Sequence, residues 1–294
     1  MKKRTAAYLL GLAGAGIGAY TFLERQSQPV ADHPFLSNPG LLAMAHRGGG
    51  GLWPENTLYA FQRAVELGVD VLELDIHSTA DGVLVVRHDP TVDSTTDGSG
   101  PIHKFTLAEL KRLDAGYRWT PDGGETFPYR RRGITIPTLE EVLAAFPEMR
   151  LNIDIKQAAP SIVAPFCRML RVYDRLESTL VGSFHQDQLN LFRRACPQIA
   201  TAAGVNEVRL FFALNRVFLD GAFQPKAQAF QIPEYESDLH VVTQRFIQGA
   251  HRHNVQVHVW TVDEVEDMHR LIEWGVDGII SDYPNRVMKL LGRL

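Results

Sequence analysis

From Leu41 to the C-terminus, short aliphatic or β-branched runs alternate with segments whose apolar positions recur at helical spacing, the rhythm of an α/β chain. The apolar runs predict strands at 42–45, 69–76, 151–155, 179–183, 199–203, 227–231, 255–260 and 277–281. Asn56 or Thr57 opens a helix whose Leu58, Phe61 and Val65 share a face, and Gly68 closes it. Thr106 with Glu109, Thr138 with Glu141, and Asp263 with Glu266 carry capping-box or related patterns at further helix starts. A ninth run, 83–87, follows strand 69–76 after only Thr79-Ala80-Asp81-Gly82, too short for a parallel crossover, so it predicts a hairpin return. A turn centred on Asp81 sets Arg87 opposite Asp75 and brings His88 beside the Glu73/Asp75 end of the strand.

With the hairpin set aside, eight parallel strands remain, the number of a (β/α)8 TIM barrel, whose chemistry gathers at the C-terminal strand ends. Residues 91–137, rich in turns at Asp97-Gly98 and Asp122-Gly123-Gly124 and ending in Arg130-Arg131-Arg132-Gly133, read as an insertion forming a small cap after strand 2. Residues 41–294 are thus expected as one domain, and 26–40, with three prolines and no periodicity, as a linker. Ahead of it, Lys2, Lys3 and Arg4 precede an uncharged run over 6–23, so 1–25 reads as a membrane anchor. The alternative is a signal segment, since Ala13-Gly14-Ala15 and Gly16-Ile17-Gly18 offer small residues at cleavage spacing. The basic flank before the run places the catalytic part outside the cytoplasm, in the periplasm, with a secreted or a cytoplasmic protein as alternatives.

Composition adds exclusions. Of 294 residues 45% are hydrophobic and 22% charged, which supports a globular core and removes disorder. Thirty Lys and Arg against 34 Asp and Glu leave a net charge of -4, so nucleic acid is not an expected partner. Cys167 and Cys196 are too few for a disulfide framework and lack zinc spacing, so buried thiols are expected, with a single bridge as the alternative. Gly48 to Gly51 belong to no nucleotide-binding fingerprint and suit a tight turn or a close approach of backbone to phosphate. No GxSxG element points to a serine hydrolase.

Polar residues close the predicted strands: His46-Arg47, Glu73 and Asp75, His88-Asp89, Asn152 with Asp154 and Lys156, and Ser183-Phe184-His185. Unpaired charges inside a barrel are costly, so five such strand ends argue for a site. Glu73 and Asp75 lie two apart on one strand face, and Asp154 on the neighbouring strand offers a third carboxylate. Such oxygens suit Mg²⁺ or Ca²⁺; the alternative is neutralisation by Arg47 and Lys156 without a metal. His46 and His88 flank the cluster as proton acceptor and donor, in an order the sequence leaves open. His77 falls on the same face; His251 and His253 are expected at the surface of a helix end.

Together His46-Arg47-Gly48, Pro54-Glu55-Asn56-Thr57, Glu73-Leu74-Asp75, Asp81-Gly82 and His88-Asp89 resemble the glycerophosphodiester phosphodiesterases. The likeness runs on through Asn152 to Lys156, Gly182-Ser183-Phe184, Trp260-Thr261-Val262 and Gly275 to Pro284. The resemblance implies a divalent-cation-dependent barrel enzyme that cleaves glycerophosphodiesters into sn-glycerol 3-phosphate and an alcohol. It places catalysis on His46 and His88, phosphate binding on Arg47 and Lys156, and metal binding on Glu73, Asp75 and Asp154. Asp154 departs from the family's usual Glu by one methylene. Phe184 and Trp260 resemble the apolar residues on the glycerol side, though strand-end aromatics also serve a core. The alternatives are a lysophospholipase D acting on lysophospholipids and, more remotely, a non-catalytic tethered barrel.

Overall fold

The computed structural model describes residues 18, 20–37 and 40–294. Its strands are β1 (Leu42–Ala45), β2 (Val71–Ser78), β3 (Leu84–Val86), β4 (Arg150–Ile155), β5 (Thr179–Gly182), β6 (Ala200–Thr201), β7 (Ala229–Ile232), β8 (Tyr235–Glu236), β9 (Leu239–His240), β10 (Gln256–Val259) and β11 (Gly278–Ser281). Parallel pairing runs in the order β6-β5-β4-β2-β1-β11-β10-β7, and a bridge between Ala202 and Ala229 joins the two ends. The eight expected strands therefore make a barrel, β1 with the expected ends and the others with ends shifted by at most two residues. β3 pairs antiparallel with β2, Val86 opposite Ile76 and Val85 opposite His77, and Arg87 N donates to Asp75 O at 2.8 Å. That is the register inferred from a turn centred on Asp81. The β8–β9 hairpin was not foreseen, because two-residue strands are too short to show alternation.

The helices are α1 (Leu58–Leu67), α2 (Leu107–Leu110), α3 (Leu139–Ala145), α4 (Val163–Val172), α5 (Gln186–Ala195), α6 (Val205–Arg216), α7 (Gln244–Arg252), α8 (Val265–Trp274) and α9 (Pro284–Leu290). Thr57 caps α1 by accepting from Ala60 N, and Gly68, at φ 85°, ends it in the left-handed conformation that favours glycine. Thr106/Glu109 and Thr138/Glu141 form the expected capping boxes. Asp263 does not cap a helix: its Oδ1 accepts from Ser281 Oγ and Asp282 N, both at 2.9 Å, because those donors at the end of β11 lie beside it.

Strand alternation sorts the side chains. Leu72, Leu74 and Ile76 of β2, with Leu151, Ile153 and Ile155 of β4, pack outward against the helices. Leu42, Met44, Val71, Leu180, Ala200, Ala229 and Ile280 fill the barrel interior. Glu73 and Asp75 share the parity of Val71, which aims them into the barrel above that apolar layer.

Three expectations are corrected. Cys167 in α4 and Cys196 after α5 form a disulfide, with Cα atoms 6.1 Å apart, rather than two thiols; the packing of α4 on α5 creates this contact across 29 residues. The stretch after residue 26 is no free linker: Val30 N donates to His253 O at 3.0 Å, and Phe35, fully buried, joins the barrel interior. Gln256 and Arg150, at strand starts, donate to Leu36 O and Ser37 O, so Phe35 closes the barrel base. His253 is buried beneath this segment, 2.8 Å from Asp220 O and 3.2 Å from Ser27 Oγ, whereas His251 is exposed as expected and pairs with Asp277. The insertion has its own core, in which Val92, Ile102, Leu110, Ala115, Ile134 and Ile136 pack on Val85; it docks on the glycine turn through Trp119 Nε1, which donates to Gly50 O at 2.9 Å, and contributes no side chain to the cavity described below.

Residues 20–26 are helical, with Phe22 and Leu23 exposed. Most of the 6–23 run lies outside the described residues; among those described, no helix is long and apolar enough to cross a membrane.

Candidate active site

A cavity of about 560 Å³ opens at the C-terminal ends of the strands. Its inner end is lined by His46, Arg47, Glu73, His88, Asp154 and Lys156, six of the sequence-derived site residues. Phe184 and Trp260 stand on its wall, and Asp75 lies fully buried directly beneath. All nine nominated residues therefore meet at one place.

Each histidine is held from behind. His46 follows β1 in a turn, and its Nδ1 lies 2.8 Å from Asp282 Oδ1. His88 follows β3, and its Nδ1 lies 2.8 Å from Asp89 Oδ1. Asp89 in turn accepts from Ser94 Oγ. A carboxylate at Nδ1 fixes the ring and leaves Nε2 as the nitrogen for proton exchange. Burial would lower the pKa of His46, but the charge of Glu73 and the hydrogen bond and charge of Asp282 outweigh it and raise the group. His77 takes a structural part, its Nε2 3.0 Å from His88 O and its pKa lowered by burial.

The turn after His46 explains the Pro54-Glu55-Asn56-Thr57 motif. Arg47 sits at φ 52°, a left-handed conformation that a non-glycine residue adopts at a cost and that recurs at functional sites. Its N donates to Glu73 Oε2 at 2.7 Å, and its guanidinium reaches both oxygens of Glu55 at 3.2 Å. Asn56 Nδ2 donates to Asp75 Oδ2 at 2.9 Å, and Thr57 caps α1. Gly51 passes so close to Tyr283 that a Cβ there would lie 2.5 Å from its ring. The glycine run makes a tight turn, one of its two expected uses.

β2 and β4 pair in register, Glu73 beside Asn152 and Asp75 beside Asp154. Lys156 Nζ lies 2.6 Å from Asp154 Oδ2 and 3.1 Å from Asp75 Oδ1. Burial would raise Asp75, yet the charges of Lys156 and Arg47 hold it below the usual carboxylate range. Glu73 goes the other way, pushed up by burial and by the charge of Asp75. Burial opposes the charge on Lys156, but Asp154 and Asp75 raise its pKa. Among the described residues, no three His, Cys, Asp or Glu side chains converge as a ready-made metal site. The donor chemistry still suits a hard cation, because Glu73, Asp75 and Asp154 offer carboxylate oxygens at neighbouring strand ends and the buried Asp154 Oδ1 has no hydrogen-bond partner.

Phe184 and Trp260 meet edge to face, ring centroids 5.8 Å apart, and Lys156 Nζ lies 5.2 Å from the Phe184 ring centre. Phe184 is 57% exposed and lines the cavity, whereas Trp260 both lines the cavity and packs against the apolar layer of the barrel interior. Sequence reasoning assigned no role to Asp282, Asp89 or Glu55, although all three stand inside the quoted motifs. It missed the outer wall, made by α6 and the β8–β9 hairpin, altogether.

A family model described as the glycerophosphoryl diester phosphodiesterase family matches residues 46–286. A glycerophosphodiester phosphodiesterase of Caldanaerobacter subterraneus subsp. tengcongensis is 36% identical over 85% of this chain and 97% of its own length. Among solved structures, a glycerophosphoryl diester phosphodiesterase domain from Mycobacterium tuberculosis matches the fold with a TM-score of 0.77 at 24% identity, over 86% of this chain and 99% of that one. A phosphodiesterase of Oleispira antarctica, solved with the product sn-glycerol-3-phosphate, matches at a TM-score of 0.68 and 26% identity, covering 89% of this chain and all of its own.

Proposed function

The chain belongs to the glycerophosphoryl diester phosphodiesterase family and is a phosphoric diester hydrolase, and from that premise we propose that it cleaves glycerophosphodiesters to sn-glycerol 3-phosphate and an alcohol by histidine-pair catalysis. The observation that carries the reading is that His46 and His88 border one cavity, each backed at Nδ1 by its own carboxylate. One imidazole takes the proton of the attacking group, and the other returns a proton to the leaving alkoxide. Arg47 and Lys156 supply positive charge for the phosphoryl oxygens, and Phe184 and Trp260 give the glycerol carbons an apolar wall. The product in the Oleispira antarctica structure supports the same assignment of substrate.

Glu73, Asp75 and Asp154 would hold a divalent cation, Mg²⁺ or Ca²⁺, the free Asp154 Oδ1 being one oxygen ready for it. When bound, the cation adds Lewis-acid charge beside the phosphate. Residues 6–23 would tether the enzyme to a membrane with its barrel outside the cytoplasm, a setting in which the Cys167–Cys196 bridge is stable.

Release of sn-glycerol 3-phosphate from glycerophosphocholine tests the reaction. EDTA should abolish it, and Mg²⁺ or Ca²⁺ should restore it. His46→Ala and His88→Ala should each lower kcat by about 10²-fold or more. Full activity in chelator by protein free of metal would refute the cation, and near-normal turnover in either variant would refute the histidine pair.

A further inference from the structure

The turn that carries His46 has little local support. Arg47, Gly48 and Gly49 follow one another at φ 52°, 82° and 95°, and no helix or strand runs through residues 49–57. Gly50 is instead held from two sides. On one side it packs on the carboxylate behind His46. A Cβ at Gly50 would lie 3.1 Å from Asp282 Oδ1, the atom 2.8 Å from His46 Nδ1, and Gly51 N donates to Asp282 O at 3.1 Å. On the other side stands Trp119, 69 residues away in the insertion, whose Nε1 donates to Gly50 O at 2.9 Å. The indole is fixed in its turn: it meets Tyr129 edge to face at 4.9 Å, and Tyr129 packs on Tyr59 of α1 at 5.2 Å.

The same stretch of the insertion reaches the support of His88. Arg118, next to Trp119, donates from its N to Thr95 O and from Nε to Thr96 O, both at 3.2 Å. Thr95 and Ser94 bind the buried Arg87 guanidinium, and Ser94 Oγ donates to Asp89, the carboxylate 2.8 Å from His88 Nδ1. The insertion's core is also seated on Val85 of β3, the strand that leads to His88. Two adjacent residues, Arg118 and Trp119, therefore link the segments that back the two histidines. The indole does not line the cavity, so it reaches the reaction only through the turn.

We propose that Trp119 is a positioning residue for the hydrolysis: its N–H holds the 46–51 turn at a fixed distance from the His88 segment, so that one imidazole can accept a proton while the other donates one. The inference rests on the phosphodiesterase reading and adds to it a residue that touches no substrate. A pair of proton carriers is sensitive to such spacing, because a misplacement of about 1 Å costs about 10²-fold in rate.

Trp119→Phe in the full chain keeps an aromatic ring against Tyr129 and deletes the donor. Hydrogen exchange of the 46–51 amides should quicken about three- to tenfold, the factor that one neutral hydrogen bond contributes. With glycerophosphocholine, kcat per folded protein should fall about threefold or more while KM stays within about twofold. Combined with Asp282→Asn, which loosens the same histidine, the loss should be smaller than the product of the separate losses. If Trp119→Phe folds poorly, 3-benzothienylalanine at this position, which replaces only the N–H by sulfur, makes the same test. Unchanged exchange at 46–51, a folded variant that keeps the parent's kcat, or a loss that simply multiplies with that of Asp282→Asn would overturn the role. If the parent releases no sn-glycerol 3-phosphate, the phosphodiesterase reading falls, and the exchange at 46–51 still decides whether Trp119 braces the turn.

Discussion

Asp282 offers a sharp test of the site, because its carboxylate touches His46 only from behind. In Asp282→Asn the side-chain oxygen can still accept from Nδ1, so shape is kept and one charge is lost. A hydrogen bond to a charged partner is worth about 1.5–3 kcal/mol. The His46 and Asp282 side chains are 16% and 32% exposed, so solvent screens the pair and the lower figure, about 1.5 kcal/mol, applies. That corresponds to about a tenfold fall in kcat/KM. The sign follows from the structure: Asp282 raises the pKa of His46, so its loss moves the His46 limb of the pH–rate profile to lower pH. If the ascending limb moves, His46 is the base; if the descending limb moves, it is the acid. Asp282→Ala, which also frees the ring, should cost more, about 10²-fold. The assay is kcat/KM on glycerophosphocholine from pH 5 to 9, with melting temperature as the control for folding. A folded Asp282→Asn enzyme with both limbs in place and kcat/KM within about twofold of the parent would refute the orienting role.

Three further outcomes follow from the fold and its N-terminus. His258 is fully buried, and burial, partly offset by Asp277, lowers its pKa to about 4. Neutral in the fold but able to charge when unfolded, it should contribute stability in full above pH about 6.5, and that contribution should fade by roughly 3 kcal/mol as pH drops toward 4. Denaturant titrations across this range should show a shallower acid-side loss for His258→Gln, and an unchanged slope would count against it. Reducing the Cys167–Cys196 bridge, which spans 29 residues, should lower stability by about 2–4 kcal/mol in urea unfolding; no effect of dithiothreitol would mean the bridge does not form. The full-length protein should sediment with membranes and resist alkaline wash, and its recovery as soluble protein with residues 1–25 intact would exclude a tether.

How much could be read in advance follows from the range of each interaction. Strand parity is local, so Glu73, Asp75 and His77 were legible as one face, and the short turn at Asp81 dictated the hairpin register that sets Arg87 against Asp75. Local hydrogen bonding likewise marked Thr57, Thr106 and Thr138 as caps. Asp263 failed as a cap because its competing donors, Ser281 Oγ and Asp282 N, come from a different strand.

The sequence by itself determined the barrel class, the polar strand ends and the nine residues of the site, eight lining the cavity and Asp75 beneath it, since each depends on period, parity or a contiguous motif. The tertiary structure alone decided which carboxylate stands behind His46, 236 residues away along the chain, and which cation sits between Asp75 and Asp154. It also joined Cys167 to Cys196, buried His253 under the segment that ends in Phe35, and drew the cavity's outer wall from α6 and a two-residue hairpin instead of the long insertion. The physical reason is common to all of these. Pairings across the barrel depend on where its closure brings distant strand ends and helices, and no local spacing in the chain encodes that distance.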